Sequence, residues 1–316
     1  MSKDKIKIGR YSTQRTELNK LCHAQAQYHK LIVPFLPQHS DAQDITIRCS
    51  QSFSEFFIRD LNDEIENFDL LNQMAEKSLK EASFDRQEFF DIYDVTGIEL
   101  DNRLTHAQFS EDIAVVSLKH FFRSIKCLPG MNEIPMADFY RIVLSNYGDY
   151  YLLLSVISGN HWQDDTLIMN IDSKHSMIMD YTDFIKLCDF QGLKIQQEHD
   201  NRITETHLTY EEATFLVAIH MLNSAQKFPQ LETLRSRVML AFIRYLECRY
   251  DKNQHLRFSE LINLDSFLKE KRYYMKKWLR KHKPHINKRE SNKVFKAFFT
   301  MENIDEAAAL LQDLKL

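Results

Sequence analysis

Turn formers are scarce in this chain. It has 6 glycines and 6 prolines among 316 residues, where about 12% of an ordinary protein is glycine or proline. A sandwich, barrel or propeller needs many tight turns, so those architectures are excluded. No GxGxxG or GxxxxGK[ST] stretch occurs, which removes the phosphate-cradling loops of nucleotide-binding α/β folds. The five cysteines (Cys22, Cys49, Cys127, Cys188, Cys248) lie far apart, with neither a CxxC pair nor a Cys/His cluster at zinc spacing. Their odd number, with no secretory signal at the start, predicts free thiols in a reducing compartment. The longest largely apolar run, Tyr150–Ile157, has eight residues, less than half of a membrane span. A net charge of −4 argues against a general nucleic-acid binder. What the chain does have is bulk: 22 Phe, 13 Tyr and 2 Trp, in a composition 44% hydrophobic and 27% charged. Few breakers and many large apolar side chains predict an all-α domain with one sizeable core.

Residues 1–30 form a basic opening with a helix toward Lys30. The stretch 31–52, with two prolines and no sustained period, reads as a linker. Residues 53–316 form the main domain. Phe56, Leu61, Ile65, Phe68, Leu71 and Met74 predict a helix to about Ala82. Phe109, Ile113, Val116, Phe121, Ile125 and Leu128 mark one face of a long helix that Pro129-Gly130 stops. Met136–Ile157 is apolar around most of its circumference in the middle, as a central helix requires. Asp165–Asp180 holds two apolar runs about Asp172-Ser173-Lys174, which predicts a hairpin. Helices are expected at Tyr181–Ile195, Thr209–Ser224, Leu231–Tyr250 and Phe258–Lys283, and one or two short ones within Val294–Leu316. Thr209 and Glu212 have the spacing of a capping box.

The interval Lys119–Val143 resembles the signature of nuclear receptor ligand-binding domains. In that family an aromatic residue and a lysine precede P-G-F-x-x-L-x-x-x-D-Q-x-x-L-L. The corresponding positions are Lys126, Pro129, Gly130, Met131, Ile134, Asp138, Phe139, Ile142 and Val143. Met replaces Phe, Ile replaces Leu, Phe139 replaces Gln, and Ile142-Val143 replaces Leu-Leu; all but Phe139 keep apolar character and approximate volume. Further stretches match in the same order. The hairpin falls where these receptors place their small β-turn, Leu208-Thr209-x-Glu211 with Phe215-Leu216-x-Ala218-Ile219 is similar to the start of their eighth helix, and Leu231–Tyr250 to the ninth. Arg257-Phe258-x-x-Leu261-Ile262 resembles the R-F-x-x-L-L that opens the tenth. The match runs from roughly residue 105 to 300, with divergence of the sort seen in nematode receptors.

The resemblance implies a three-layer antiparallel helical sandwich with one small β-hairpin, acting in the nucleus in transcriptional regulation like steroid-hormone-type receptors. It implies a coregulator groove lined by Phe122, Ile125, Phe139, Ile142 and Val143. Lys126 would clamp the carbonyl end of a coactivator or corepressor LxxLL helix. The activation helix would be Val294, Phe295, Ala297, Phe298 and Phe299, with Ala297 where the family has its clamp glutamate. Weak activation or repression follows, or use of Glu302 instead; the lost charge-assisted pair is worth on the order of 1–3 kcal/mol. Beyond it, Ala308, Leu311 and Leu314 form a face that would fit the chain's own groove, or pack as core.

Ligand-pocket positions by the same alignment are Val115, Leu118, Phe122, Leu153, Val156, Ile157, Met169, Phe184, Leu187, Cys188 and Met275. Ser158-Gly159 stands where several receptors grip an anion with arginine, so a neutral lipophilic molecule is the expected ligand. Plain core filling, with no ligand, is the other reading of these residues. KIKIGRY at 5–11 resembles the extension that follows the family's zinc-binding DNA module. Lys5 and Lys7 would meet phosphate and Arg10 the minor groove, or the stretch is a plain basic tail. No cofactor is expected in this chain; zinc enters only with a DNA-binding module that would precede it. The sequence reads as a fragment starting past that module or as a receptor lacking it.

Residues 269–293 carry 11 Lys/Arg against Glu270 and Glu290. The family dimerises here, which implies a homo- or heterodimer seam with another nuclear receptor through Phe267, Leu268, Tyr274 and Trp278. A phosphate-binding or merely solvated basic face is the alternative. The rival function is a ligand-independent dimerisation or corepressor-docking scaffold. An enzyme is not expected, since GxSxG and HExxH are absent. His199-Asp200, with His161 or His175 before and Asp251 after, does mimic the H…HD…D order of helical metal phosphohydrolases. That reading needs all four on helix faces, whereas His175 is expected in the hairpin and His199-Asp200 in a loop.

Overall fold

The computed structural model describes residues 36–37, 40–54, 56, 61–172, 174–288, 293–295 and 303–313. Its helices are α1 (Asp41–Ser52), α2 (Phe68–Glu81), α3 (Arg86–Thr96), α4 (Arg103–Cys127) and α5 (Met136–Ile157). After the strands β1 (His161–Gln163), β2 (Thr166–Asn170) and β3 (Ser176–Asp180) come α6 (Tyr181–Leu187), α7 (Phe190–Glu205) and α8 (Tyr210–Ser224). The chain continues with α9 (Glu232–Tyr250), α10 (Gln254–Lys288) and α11 (Ile304–Asp313). The protein is mostly helical with one small antiparallel sheet in the order β1-β2-β3.

α5 is the central element, packed against α4, α7, α8, α10 and α11. Its sequence explains the position. Phe139, Tyr140, Val143, Tyr147, Tyr150, Leu153 and Leu154 are all nearly solvent-free, and their spacings of three and four residues put them on one broad face of the helix. Burying each such side chain contributes about 1.5–3 kcal/mol. α4 ends where Leu128, the residue before a proline, turns extended at ψ 143°. Gly130 then takes φ +77°. The left-handed turn is what calls for glycine; a Cβ there would also lie 2.5 Å from a Leu234 methyl and 2.9 Å from a Leu231 methyl, which would have to shift.

Several expectations are corrected. The stretch 31–52 is not all linker: Ser40 caps α1 by accepting the Gln43 N–H, and α1 packs against α8 and α9 with Ile45 and Cys49 in the main core. The main domain therefore starts by Ser40 at the latest, not at Phe53. The helix expected from Phe53 to Ala82 is interrupted. Leu61–Asp63 is a 3-10 turn whose Leu61 N–H is held by the buried Asp172 carboxylate at 2.9 Å, and Asn67 at φ 57° precedes α2. Tyr181–Ile195 is two helices, because Cys188 is extended and Asp189 caps a new start by accepting the Gly192 N–H. The hairpin gains a third strand, with Trp162 paired opposite Leu167. α3 was not anticipated. The capping box at Thr209 is present in full, each partner bonding the other's backbone.

A second apolar cluster lies between α2, α4 and the sheet, built on Phe68, Phe109, Val116, Ile171 and Met177. No helix among the described residues is long and apolar enough to cross a membrane.

Candidate functional site

The last turns of α4 and the first of α5 are held against each other by aromatic packing. Phe122 meets Phe139 edge-on at 5.9 Å and Tyr140 at 5.3 Å. Burial pushes the Tyr140 phenol above its ordinary pKa. Lys126 lies at the rim, its ammonium 4.7 Å from the Phe139 ring centre and 3.3 Å from the Met136 sulfur. A cation over an aromatic face is weakly held at an exposed site, about 0.5–1 kcal/mol, so the ammonium stays available to a better partner. Asp138 pairs with Lys227 and with Arg141, and these two cations hold its carboxyl below the ordinary range. Arg141 also reaches Asp305 of α11 at 2.6 Å.

The expected groove residues are brought together but not exposed. Phe122, Ile125, Phe139, Ile142 and Val143 are between 0% and 6% accessible, within one continuous cluster that also contains Ala308 and Leu311. Their role as an open lining is thus corrected. α11 packs chiefly against α5. Of the expected activation helix, Val294 joins the main core and Phe295 packs on it, half-buried; Ala297, Phe298 and Phe299 lie outside the described residues.

The expected pocket positions fall in two groups. Val115, Leu118, Phe122, Leu153, Val156 and Ile157 belong to the main cluster. Met169, Phe184 and Leu187 pack against the second one instead, and Cys188 is half-buried at the end of α6. Residues 115 and 116, adjacent on α4, thus serve different clusters, so α4 is the wall shared by both. The side chain of Met275 lies outside the described residues, as do Lys5, Lys7 and Arg10. A surface groove of about 440 Å³ does occur elsewhere, between α8 and α9, lined by Ile219, Leu222, Met239, Leu240 and Ile243.

On α10, Leu268 is 1% accessible and belongs to the core with Leu261 and Leu264, so it cannot line a seam. Phe267 is half-buried and Tyr274 is exposed; the Trp278 side chain lies outside the described residues. Among the described side chains of this helix, the exposed large apolar ones are Leu256, Ile262, Tyr273 and Tyr274.

His199 and Asp200 lie on α7, buried, rather than in a loop. Asp200 is satisfied by the Trp162 indole N–H at 3.1 Å and the Gln196 amide at 2.9 Å, which explains a polar dipeptide inside a helix. His175 instead bonds Asp172 at 2.8 Å and Asp69 at 3.0 Å, while Asp251 is exposed. Among the described residues no group of three or more His, Cys, Asp or Glu is placed to hold a metal ion.

The contacts that sequence reasoning missed join distant segments. Arg257 at the start of α10 forms a two-pronged ion pair with Glu212 of α8, Nη2 to Oε2 at 2.6 Å and Nε to Oε1 at 2.8 Å. Arg103 is fully buried and pairs with the largely buried carboxylate of Asp101. A carboxylate and an arginine 45 positions apart carry no local signal of pairing. The chain matches no protein-family model and no curated protein.

Proposed function

We propose that this chain is the ligand-binding domain of a divergent nuclear receptor, a nuclear regulator of transcription that takes up a small neutral lipophilic molecule and binds coregulator helices. The observation that carries this reading is the α4–turn–α5 unit. Its motif residues Pro129, Gly130, Asp138 and Phe139 stand at a real helix–turn–helix junction, with Lys126 free to point along its rim. Two other stretches of the resemblance support it by meeting in space: Glu212, from the start of α8, pairs with Arg257, from the start of α10. On this reading α5 is the middle layer of the helical sandwich, and the ligand lies beside α4, between the main cluster and the sheet-side cluster. Its neutral character follows from Ser158-Gly159 at the end of α5. The dimer seam uses the outward face of α10, Leu256, Ile262, Tyr273 and Tyr274, in place of Leu268.

Native mass spectrometry of the full chain made in eukaryotic cells tests the ligand. One lipophilic molecule per chain, retained in the gas phase and released by organic solvent, is the expected result. A bare polypeptide mass would favour a ligand-free docking scaffold.

A further inference from the structure

We propose that the open groove between α8 and α9 is a docking site for a partner's short amphipathic helix that carries a carboxylate at one end. The groove lies on other elements than the α4–turn–α5 unit and does not depend on what that unit binds.

Spacing puts the walls together. Ile219 and Leu222 on α8, and Met239, Leu240 and Ile243 on α9, recur three and four apart, so each set lies on one helix face. Leu222 is 1% accessible, whereas Leu240 is 54% and Ile243 36% accessible. A single exposed leucine is ordinary. Two large aliphatic side chains a turn apart, along a concavity of about 440 Å³, leave apolar surface in water that a partner would cover.

Charge selects the occupant. No carboxylate lines the groove, and its one ionic lining group is the half-buried Arg235. Nearby cations are already neutralised: Arg237 pairs with Asp41, Lys227 with Asp138 and Arg244 with Glu247. Among the described residues Arg235 has only the Ala225 carbonyl at the end of α8, at a long 3.4 Å. Its guanidinium is therefore free to donate two parallel, charge-assisted bonds to an incoming carboxylate.

Size selects the form. From Arg235 to Ile243, α9 rises about 12 Å, roughly two helical turns. A partner helix of similar length covers the groove with apolar residues at i, i+3 and i+7 and sets its acidic residue against Arg235. Helical walls offer no strand edge, so an extended segment would leave its backbone groups unpaired. The eight lining residues are far fewer than the roughly 20–30 a side of a standard dimer interface, which argues against a second copy of this chain.

Fluorescence anisotropy of the full chain with two labelled helical peptides tests this. Both carry leucines at i, i+3 and i+7; one has a glutamate a turn beyond them, the other a glutamine there. The glutamate peptide should bind about tenfold more tightly. Arg235→Ala should erase that difference and leave the glutamine peptide's affinity unchanged, which a loss of fold would not do. Leu240→Asp, at an exposed position that leaves the core alone, should weaken both peptides about tenfold or more. No binding of either peptide, or equal binding by the unmodified chain and Leu240→Asp, would overturn the site. Equal affinity for the two peptides would overturn the carboxylate assigned to the partner. Competition by an unlabelled LxxLL peptide would place the probes on the α4–α5 surface instead, and a dimer that Leu240→Asp dissociates in sedimentation would give the groove to a second copy; either result overturns the proposal.

Discussion

Replacing Glu212 with alanine should destabilise the fold by about 3–5 kcal/mol, the usual cost of removing one partner from a buried ion pair. The Glu212 side chain is fully buried and that of Arg257 is 10% accessible. Four hydrogen bonds from three residues converge on the carboxylate. Arg257 donates twice, Tyr250 donates its hydroxyl at 2.8 Å, and the Thr209 backbone N–H donates at 2.9 Å. Burial disfavours the Arg257 charge, yet the hydrogen bonds and field of Glu212 raise its pKa above the ordinary arginine value. With Glu212 gone, that guanidinium remains charged and loses its buried counter-ion, keeping only the more exposed Glu260 carboxylate at 2.7 Å. The helix cap at Thr209 loses half of its box in the same step. Urea unfolding should show a lower midpoint with an unchanged slope; a midpoint within the error of the unmodified chain would refute the role assigned to the pair.

Arg103→Ala is expected to cost a similar amount, about 3–5 kcal/mol at neutral pH. Arg103 is 0% accessible and ties three segments together. It holds both oxygens of Asp101 at 2.8 Å, the carbonyl of Phe84 at 2.6 Å and that of Lys186 at 2.9 Å. Its guanidinium also stacks 4.3 Å from the Phe89 ring, which links the α3 cluster to the rest. Burial works to raise the pKa of Asp101, but the Arg103 hydrogen bond and charge outweigh it and the carboxyl sits below its ordinary value. A depressed acid contributes stability above its unfolded pKa, near about 3.9, and loses it as pH falls through the folded value. The gap between Arg103→Ala and the unmodified chain should therefore be widest at neutral pH and narrow toward pH 3 and below. A gap that widens on acidification would contradict this assignment.

The parts of the fold readable from sequence are those with local signals. The middle of α5 is apolar all round, and its observed ends match the expected ones. The Pro129-Gly130 stop and the Thr209–Glu212 cap were legible because one residue type answers one backbone need. α3 carried such signals too, with Asp85 at its N-cap and Gly97 in the left-handed conformation at its end; their spacing could have revealed it. α1 was harder, since its buried face is largely small or polar, Thr46, Cys49, Ser50 and Ser52 beside Ile45. At the site, the motif places Lys126 and its neighbours on the right helices. Nothing local says which face of α5 is covered, or that Arg141 meets Asp305. Those facts depend on the path of a tail 164 positions further along, and only the folded chain contains them.

Lys126 provides the most direct test of the proposed coregulator surface. Lys126→Ala should weaken LxxLL-peptide binding to the full chain about tenfold, because the ammonium no longer meets the carbonyls at the peptide helix's end. The unfolding midpoint should stay near that of the unmodified chain, since among the described residues Lys126 is at the rim with its ammonium on the Phe139 ring and the Met136 sulfur. Identical peptide affinity with and without Lys126 would contradict the account.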